Sequence, residues 1–302
     1  MLPAHLAIRF WPTWIGIGLL RLVVLLPYTP ALRIGNAAGQ LIYALLPARK
    51  KRVADVNLQI CFPEMPSEER RSMAKRHAGH MGMGGIEAAM SWWWPDRKLQ
   101  ALGTIEGLEN VLEPLRQGRG VILLSAHFSM LEIAGQLIAM ALPGATVVYR
   151  RSENAAFEYV IRKGRERHTE QVIHRDDARA ILRSLRHGQV VWYAPDQNYR
   201  NPNRVFAPFF GIAAATNPAT SRLAAKTGAA VVPFSTIRLP DNTGYLIRVE
   251  KALESFPGTD MTTDATRINA VFERWVRDQP ADYFWFHRRF RTRPKGEPKL
   301  YA

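Results

Sequence analysis

The sequence predicts an α/β protein in which a mostly parallel central sheet is flanked by helices and preceded by an N-terminal membrane-anchoring helix. Beyond about residue 101, short apolar runs bounded by Gly or Pro alternate with amphipathic stretches, as strands alternate with helices in a parallel sheet. Near the N-terminus, a long apolar segment precedes a run of cations. Strands are predicted at residues 120–124, 146–149, 190–194 and 230–234, and amphipathic helices at 155–168 and 177–187.

The N-terminal segment has the composition of a membrane anchor. Residues 10–28 contain 13 apolar or aromatic side chains, and Arg21 is their one charged residue. At about 1.5 Å per residue, a helix of this length approaches the thickness of a bilayer core. A second apolar run, residues 31–46, precedes four consecutive cations at 49–52. We therefore predict a membrane anchor over residues 1–46 and a cytoplasmic domain over 47–302, by the positive-inside rule.

Two other interpretations of the apolar segment stay open. A signal peptide is disfavoured by the length of the segment, by Arg21 in its middle and by the lack of a small-residue cleavage site. A buried core helix is the second alternative, and Arg21 gives it weight. The next region, residues 53–100, is predicted to be helical and ends in an aromatic cluster at residues 92–94.

Composition limits the classes of function. The chain has 302 residues, of which 47% are apolar and 22% charged, which is ordinary for a folded protein. Its single cysteine excludes a disulfide framework, a cysteine-rich zinc site and a Cys-x-x-Cys redox pair within the chain. A net charge of +15 predicts an anionic partner: nucleic acid, an anionic membrane, a phosphorylated substrate or an acidic protein.

Two predicted strands end at residues that can carry chemistry. His127 and Glu132 follow the strand at 120–124, and Asp196 follows the strand at 190–194. In an open α/β sheet, ligands bind beyond the carboxyl ends of the strands. His127 is a candidate general base, and Glu132 is a candidate partner that would orient its ring, provided that His127 lies in the turn before a helix. On spacing alone, a structural role for this pair stays open, and Asp196 is also a candidate turn cap.

Other catalytic chemistries lack their motifs. The sequence contains no Gly-x-Ser-x-Gly elbow, no phosphate-binding Gly-x4-Gly-Lys-Ser/Thr loop and no His-Glu-x2-His metal helix. The remaining histidines have no metal-ligand spacing. We therefore predict no metal and no cofactor.

Several stretches of the chain carry a specific resemblance. They are residues 58–65, 88–97, 127–132, 190–196 and 284–294. Through them the sequence resembles the late acyltransferases of lipid A biosynthesis, the lauroyl and myristoyl transferases of Gram-negative bacteria, over essentially its whole length. The resemblance implies a glycerolipid-acyltransferase-like fold. It also implies a location at the inner membrane, with the catalytic domain on the cytoplasmic face.

The resemblance further implies transfer of a fatty acyl group from acyl carrier protein to a hydroxyl of a Kdo-bearing lipid A precursor. The catalytic pair of the family falls on His127 and Glu132, and two further important positions fall on Arg165 and Asp196. Many glycerolipid acyltransferases have Asp in place of Glu132. The absence of a nucleophile motif is consistent with direct transfer, without an acyl-enzyme. Arg165 is expected either to stabilise the oxyanion or to bind a phosphate.

Three further arginines are candidate substrate-binding residues. Arg288 and Arg289 belong to a basic tail, residues 287–299, and Arg175 precedes two aspartates with which it can alternatively form an ion pair. Arginine binds phosphate and carboxylate bidentately. The predicted partners are acyl carrier protein, a Kdo2-lipid IVA-like glycolipid and membrane lipids, rather than nucleic acid. Two alternatives remain: an acyltransferase that uses acyl-CoA or another acceptor lipid, and a non-catalytic protein that binds a membrane surface or nucleic acid.

Overall fold

A computed structural model describes residues 3–142 and 144–301. Within these residues lie eleven α-helices and nine β-strands. The helices are α1 (Trp11–Val23), α2 (Tyr28–Leu45), α3 (Ala48–Cys61), α4 (Ser67–Trp93), α5 (Asp96–Gln100), α6 (Glu109–Arg116), α7 (Leu131–Ala141), α8 (Ala155–Arg165), α9 (Ala178–Arg186), α10 (Ala219–Thr227) and α11 (Met261–Asp278). The strands are β1 (Gly103–Glu106), β2 (Val121–Leu124), β3 (Ala145–Tyr149), β4 (Gln171–His174), β5 (Val190–Tyr193), β6 (Val205–Phe209), β7 (Ile212–Thr216), β8 (Ala230–Arg238) and β9 (Tyr245–Val249).

Seven of the strands form one mostly parallel sheet, which confirms the predicted fold class. Their order is β1-β9-β8-β2-β5-β3-β4, and within this sheet only β8 and β9 pair antiparallel. The four predicted strands correspond to β2, β3, β5 and β8. The remaining pair, β6 and β7, forms a separate antiparallel hairpin.

The central strand β2 is buried on both faces. Ile122 and Leu124 belong to one hydrophobic cluster, while Val121 and Leu123 belong to another on the opposite side of the sheet. Successive side chains of a strand point to opposite faces, so a strand covered on both sides has an unbroken apolar sequence. This is why β2 could be recognised from its residues alone.

The N-terminal segment differs from the single spanning helix that was predicted. The helix α1 has 13 residues and ends at Val23, and α2 begins only after Pro27. Proline lacks the backbone N–H that would continue a helix, so the predicted span over residues 10–28 is divided in two. Among the helices that the structure describes, none combines the length and the apolar content needed to cross a bilayer.

The second of these helices, α2, packs tightly against α4. A Cβ added to Gly82 on α4 would lie 2.0 Å from the carbonyl oxygen of Gly35 on α2, and one added to Gly39 would lie 2.1 Å from that of Ala78. Only glycine permits so close an approach of the two backbones. The domain boundary predicted between residues 46 and 47 falls in the turn that links α2 to α3.

Candidate active site

The site begins at the carboxyl ends of two neighbouring strands. β2 and β5 run parallel, with Leu124 opposite Tyr193, the last residue of each strand. His127 lies three residues beyond Leu124, and Asp196 lies three residues beyond Tyr193. The two side chains therefore meet: the distance from His127 Nδ1 to Asp196 Oδ1 is 2.5 Å, and the backbone N–H of His127 donates to Asp196 Oδ2 at 3.2 Å.

Burial and charge together set the protonation of this pair. The Asp196 side chain is 2% exposed, whereas that of His127 is 32% exposed. Burial opposes the charged form of each group, but the charge of the partner and the hydrogen bond outweigh it, so the pKa of His127 is raised and the pKa of Asp196 is lowered. Ionised Asp196 only accepts hydrogen bonds, so Nδ1 of His127 carries a proton. Nε2 of His127 accepts no hydrogen bond and donates none within residues 3–142 and 144–301.

Glu132 has a different partner from the one predicted. It lies in the first turn of α7, where its carboxylate accepts hydrogen bonds from Nε (3.2 Å) and Nη2 of Arg165, the last residue of α8. The indole N–H of Trp92 approaches the same carboxylate at 3.4 Å. The structure thus places Asp196, rather than Glu132, on the ring of His127. Glu132 faces α8, and the planar guanidinium of Arg165 occupies both of its oxygens.

The four residues that the family resemblance indicated nevertheless converge on one place. They form two ion pairs, His127 with Asp196 and Glu132 with Arg165. The positive charge of Arg165 acts on His127, since it opposes protonation of the imidazole. The pKa of Arg165 is raised because the charge and hydrogen bonds of Glu132 outweigh the effect of burial. A general-base candidate therefore lies beside a fixed cation.

The C-terminal segment holds the loop that carries His127. The N–H of Phe284 donates to the carbonyl of His127 at 3.0 Å, and the N–H of Ser129 donates to the carbonyl of Asp282 at 2.8 Å. The carboxylate of Asp282 in turn accepts from Arg238 at 2.8 Å. Although burial favours its neutral form, a hydrogen bond from His80 and the charge of Arg238 hold the pKa of Asp282 well below its usual range.

The three remaining candidate arginines have different environments. Arg289 is 2% exposed, and its guanidinium donates to the carbonyl of Ala215 and the hydroxyl of Thr216. Its prediction as a substrate-binding residue is wrong, because its side chain turns into the core. Arg175 is exposed and forms the alternative ion pair, with Asp176 at 3.7 Å. Arg288 is half-buried on the wall of a cavity of about 610 Å³.

His287 is a residue of the site region that sequence reasoning missed. Its Nε2 accepts a hydrogen bond at 2.9 Å from the backbone N–H of Asn198, two residues beyond Asp196. Burial lowers the pKa of His287 to about 4, so this imidazole is neutral near pH 7. Within the described ranges, no three His, Cys, Asp or Glu side chains lie close enough together to hold a metal ion.

A histidine held at one ring nitrogen by an ionised carboxylate and open at the other is arranged as a general base. The fold and the site thus define an α/β protein with a candidate general base at the edge of its parallel sheet. The sequence model of the family described as bacterial lipid A biosynthesis acyltransferase matches residues 2–292. This chain belongs to that family, and it is an acyltransferase of lipid A biosynthesis.

The chain is also similar to individual acyltransferases. The chain is 39% identical over 294 residues to the lipid A biosynthesis lauroyltransferase of Escherichia coli K12, covering 97% of this chain and 95% of that one. It is 36% identical, with the same coverage, to the palmitoleoyltransferase of that organism. A solved 1-acyl-sn-glycerophosphate acyltransferase from Thermotoga maritima aligns with a TM-score of 0.41 and 13% identity, covering 82% of this chain and 98% of that one.

Proposed function

We propose that this acyltransferase moves a fatty acyl group from acyl carrier protein to a hydroxyl of a Kdo-bearing lipid A precursor, with His127 as general base and no acyl-enzyme. The proposal rests on the different hydrogen bonding of the two ring nitrogens of His127. Nδ1 is held by buried Asp196, while Nε2 is open to accept a proton. A Kdo2-lipid IVA-like glycolipid is the acceptor suggested by the family, and the acyl thioester is the only co-substrate.

The two ring nitrogens of His127 have separate roles in the proposed reaction. The acceptor hydroxyl gives its proton to Nε2 of His127 as its oxygen attacks the thioester carbonyl carbon. The tetrahedral intermediate then collapses, the carbon–sulfur bond breaks and the imidazolium returns the proton to the thiolate. Asp196 stabilises the imidazolium between these steps, in the role that the sequence had suggested for Glu132. An ester and a free carrier thiol are the products.

Arg165 is suited to stabilise the negative oxygen of that intermediate. Glu132 engages Nε and Nη2 of its guanidinium, and Nη1 has no hydrogen-bond partner among the described residues. Because Glu132 fixes the guanidinium plane, the free N–H groups are held before the reaction begins. Donors that are positioned in advance at a developing charge are among the largest contributions to catalysis.

The exposed faces of the N-terminal helices support a location on a membrane surface. Trp11, Leu19 and Leu22 on α1 are each at least 60% exposed, and Leu41 and Leu45 on α2 are exposed by 62% and 77%. Helices with one apolar face lie in the bilayer interface, and neighbouring cations strengthen this binding when the lipids are anionic. We propose that these faces dock on the inner membrane from its cytoplasmic side, where the acceptor lipid lies.

A side-by-side acceptor assay tests the proposed function. Purified enzyme is incubated with acyl carrier protein thioesters or acyl-CoA, and with either a Kdo-bearing lipid A precursor or a lysoglycerolipid, and products are identified by mass. We expect turnover with the carrier thioester and the glycolipid, and His127→Ala should lower kcat by about 10²–10⁴-fold. Preferential acylation of the lysoglycerolipid, or more than about a tenth of the rate in His127→Ala, would overturn the proposal.

The acyl chain length is measured by the same assay. The lauroyl and palmitoleoyl relatives are 39% and 36% identical to this chain, so similarity does not select one chain length. Thioesters of different lengths are therefore offered together, and the product masses give the preference directly.

A further inference from the structure

A cationic cleft lies beside the candidate active site, with a volume of about 610 Å³. It is bounded on one side by the turn between α2 and α3 and on the other by the C-terminal segment. This volume falls within the range of small-molecule binding sites. The lining residues are Leu46, Arg49, Lys50, Val53, Asn198, Arg200, Phe284, Phe286, His287, Arg288 and Arg291.

The charge of the cleft is unbalanced. Its lining contains five cations and no carboxylate, and none of these cations lies within 4.0 Å of a carboxylate in the part of the chain that the structure describes. Elsewhere arginines are commonly paired, as Arg70 is with Asp55 and Arg293 with Glu297. Like charges that converge on a concave surface create a strong local potential for an anion. An anionic ligand would therefore supply the counterions that the described residues do not supply.

Part of the cleft wall is apolar. Phe284 and Phe286 face the cavity from the C-terminal segment, and Leu46 and Val53 face it from the α2–α3 region. Leu45, the neighbour of Leu46, is 77% exposed on the apolar side of α2. Apolar side chains therefore lie both on the exposed face of α2 and in the lining of the cleft. A ligand that has both anionic groups and an apolar body matches this combination.

The cleft is joined to the catalytic loop by backbone hydrogen bonds. Phe284, which lines the cavity, donates its N–H to the carbonyl of His127 at 3.0 Å. On the opposite side, Asn198 lies two residues beyond Asp196 and donates its N–H to His287. Residues that line the cleft are therefore hydrogen-bonded to the loop of His127 and lie within two residues of Asp196.

We infer that this cleft binds the phosphate-bearing headgroup of the acceptor lipid, and so places its hydroxyl beside His127. The inference rests on the proposed acyl transfer. Arg49, Lys50, Arg288 and Arg291 pair with the phosphates, while the aromatic walls cover the sugar and the adjoining chains. Concave shape and apolar walls favour a small amphiphile over an acidic protein, which would use the exposed charges without filling the cavity.

The test removes charge from each side of the cleft in turn. One variant is Arg49→Gln with Lys50→Gln, and the other is Arg288→Gln with Arg291→Gln. The control, Arg179→Gln with Arg186→Gln, removes the same charge from the exposed side of α9. For each protein, KM for the phosphorylated disaccharide lipid, KM for the acyl donor and kcat are measured separately.

We expect each cleft variant to raise KM for the lipid by at least about tenfold, because charge-assisted bonds to phosphate are lost. KM for the donor and all values of the control should stay within about twofold of the parent. The parent should also prefer the phosphorylated lipid to its dephosphorylated form, and the cleft variants should lose this preference. An increase in donor KM alone would assign the cleft to the carrier protein, and unchanged constants would overturn the inference.

Equilibrium binding separates this inference from the proposed reaction. The phosphorylated lipid in neutral detergent micelles is titrated into each protein, without donor, and inorganic phosphate is tested as a competitor. Weaker binding in the cleft variants supports the inference even if no turnover is found, whereas equal binding in all four proteins overturns it. Binding of inorganic phosphate as tightly as the lipid would show a free-phosphate site and would also overturn it.

Discussion

At the scale of single residues, the orientation of the His127 imidazole is the feature on which the proposed chemistry depends. Asp196 contacts it twice, through the ring Nδ1 at 2.5 Å and the backbone N–H at 3.2 Å. The carboxylate therefore fixes both the tautomer and the position of the ring. Because of this double contact, the effect of replacing the carboxylate of Asp196 by an amide can be predicted.

We expect Asp196→Asn to lower kcat by about 10²–10⁴-fold with little change in KM. An amide has only one oxygen. Since the backbone N–H of His127 needs that oxygen, the NH2 group turns toward Nδ1 and shifts the ring proton to Nε2, where it blocks the base. Steady-state kinetics measure the effect, and Arg179→Gln, at an exposed cation of α9, serves as the control. More than about a tenth of the parent rate in Asp196→Asn would contradict this role.

The pH profile of the same variant supplies a second readout. A general base works only when neutral, so the rate falls as the pH drops through the pKa of His127, which lies above its ordinary value. Without the negative charge of Asp196, burial dominates and lowers that pKa. We therefore expect the acid limb of kcat/KM to move to lower pH in Asp196→Asn. An unchanged acid limb would mean that another group controls it.

The sequence singled out the residues of the candidate site, but it did not predict which of them pair. His127, Glu132, Arg165 and Asp196 all converge, but the partner of His127 depends on which strands are neighbours. The order of β2 and β5 in the sheet is set by long-range packing and is not encoded in either strand. The equal offset of His127 and Asp196 from their strand ends was the available signal. Burial of Arg289 was not predicted, because the local sequence does not distinguish an arginine that binds carbonyls in the core from an exposed arginine.

At the scale of elements, the contact between α2 and α4 limits how far the N-terminal region can move. Gly82 allows the carbonyl of Gly35 to approach to a distance that any side chain would block. The two helices are therefore held backbone to backbone, which makes α2 part of the folded core rather than a loosely attached anchor.

We expect Gly82→Ala to lower the free energy of unfolding by at least about 2 kcal/mol, because the added methyl group meets backbone that cannot rotate away. Gly85→Ala is the matched control on the same helix: its Cβ meets nothing within 4 Å. That control should be neutral or stabilise by up to about 1 kcal/mol, through helix propensity. Denaturant unfolding measures both, and equal effects would show that the close approach is not required for stability.

Strands were predictable from the sequence where both of their faces are covered. The strands β2, β3, β5 and β8 have continuous apolar runs, and they were found. The strands β1 and β4 have four residues each, with partly exposed side chains, and their sequences give no clear period. The break between α1 and α2 was not predicted, because the apolar composition of residues 10–28 was given more weight than Pro27.

At the scale of the whole molecule, the cations behind the net charge of +15 lie in different environments, which composition alone could not show. Part of it surrounds the cleft, at Arg49, Lys50 and Arg288. Another part is internal: Arg238 binds Glu87 and Asp282 in the core. Charge alone predicts anionic partners as a class, whereas the folded chain separates the cations that line the cleft from those paired in the core.

The exposed face of α1 provides a prediction about the molecule and its membrane. We expect Ile15→Asp with Leu19→Asp to reduce binding to phosphatidylglycerol vesicles by at least about tenfold, since charged side chains resist entry into the interface. Met261→Asp, which charges an exposed apolar residue at the start of α11, should bind as the parent does. Vesicle sedimentation measures both. Equal binding by all three proteins would exclude this face as the docking surface.

The hydrogen bonds from residues 282–284 to the His127 loop have a consequence for biosynthesis. During translation, the His127 loop and Asp196 emerge long before the segment that clamps them, since Asp282 and Phe284 follow 86 and 88 residues after Asp196. A nascent chain arrested between these points lacks the contacts that hold the general base. The loop of His127 is therefore fixed only once residues 282–284 have emerged, after the N-terminal helices have left the ribosome.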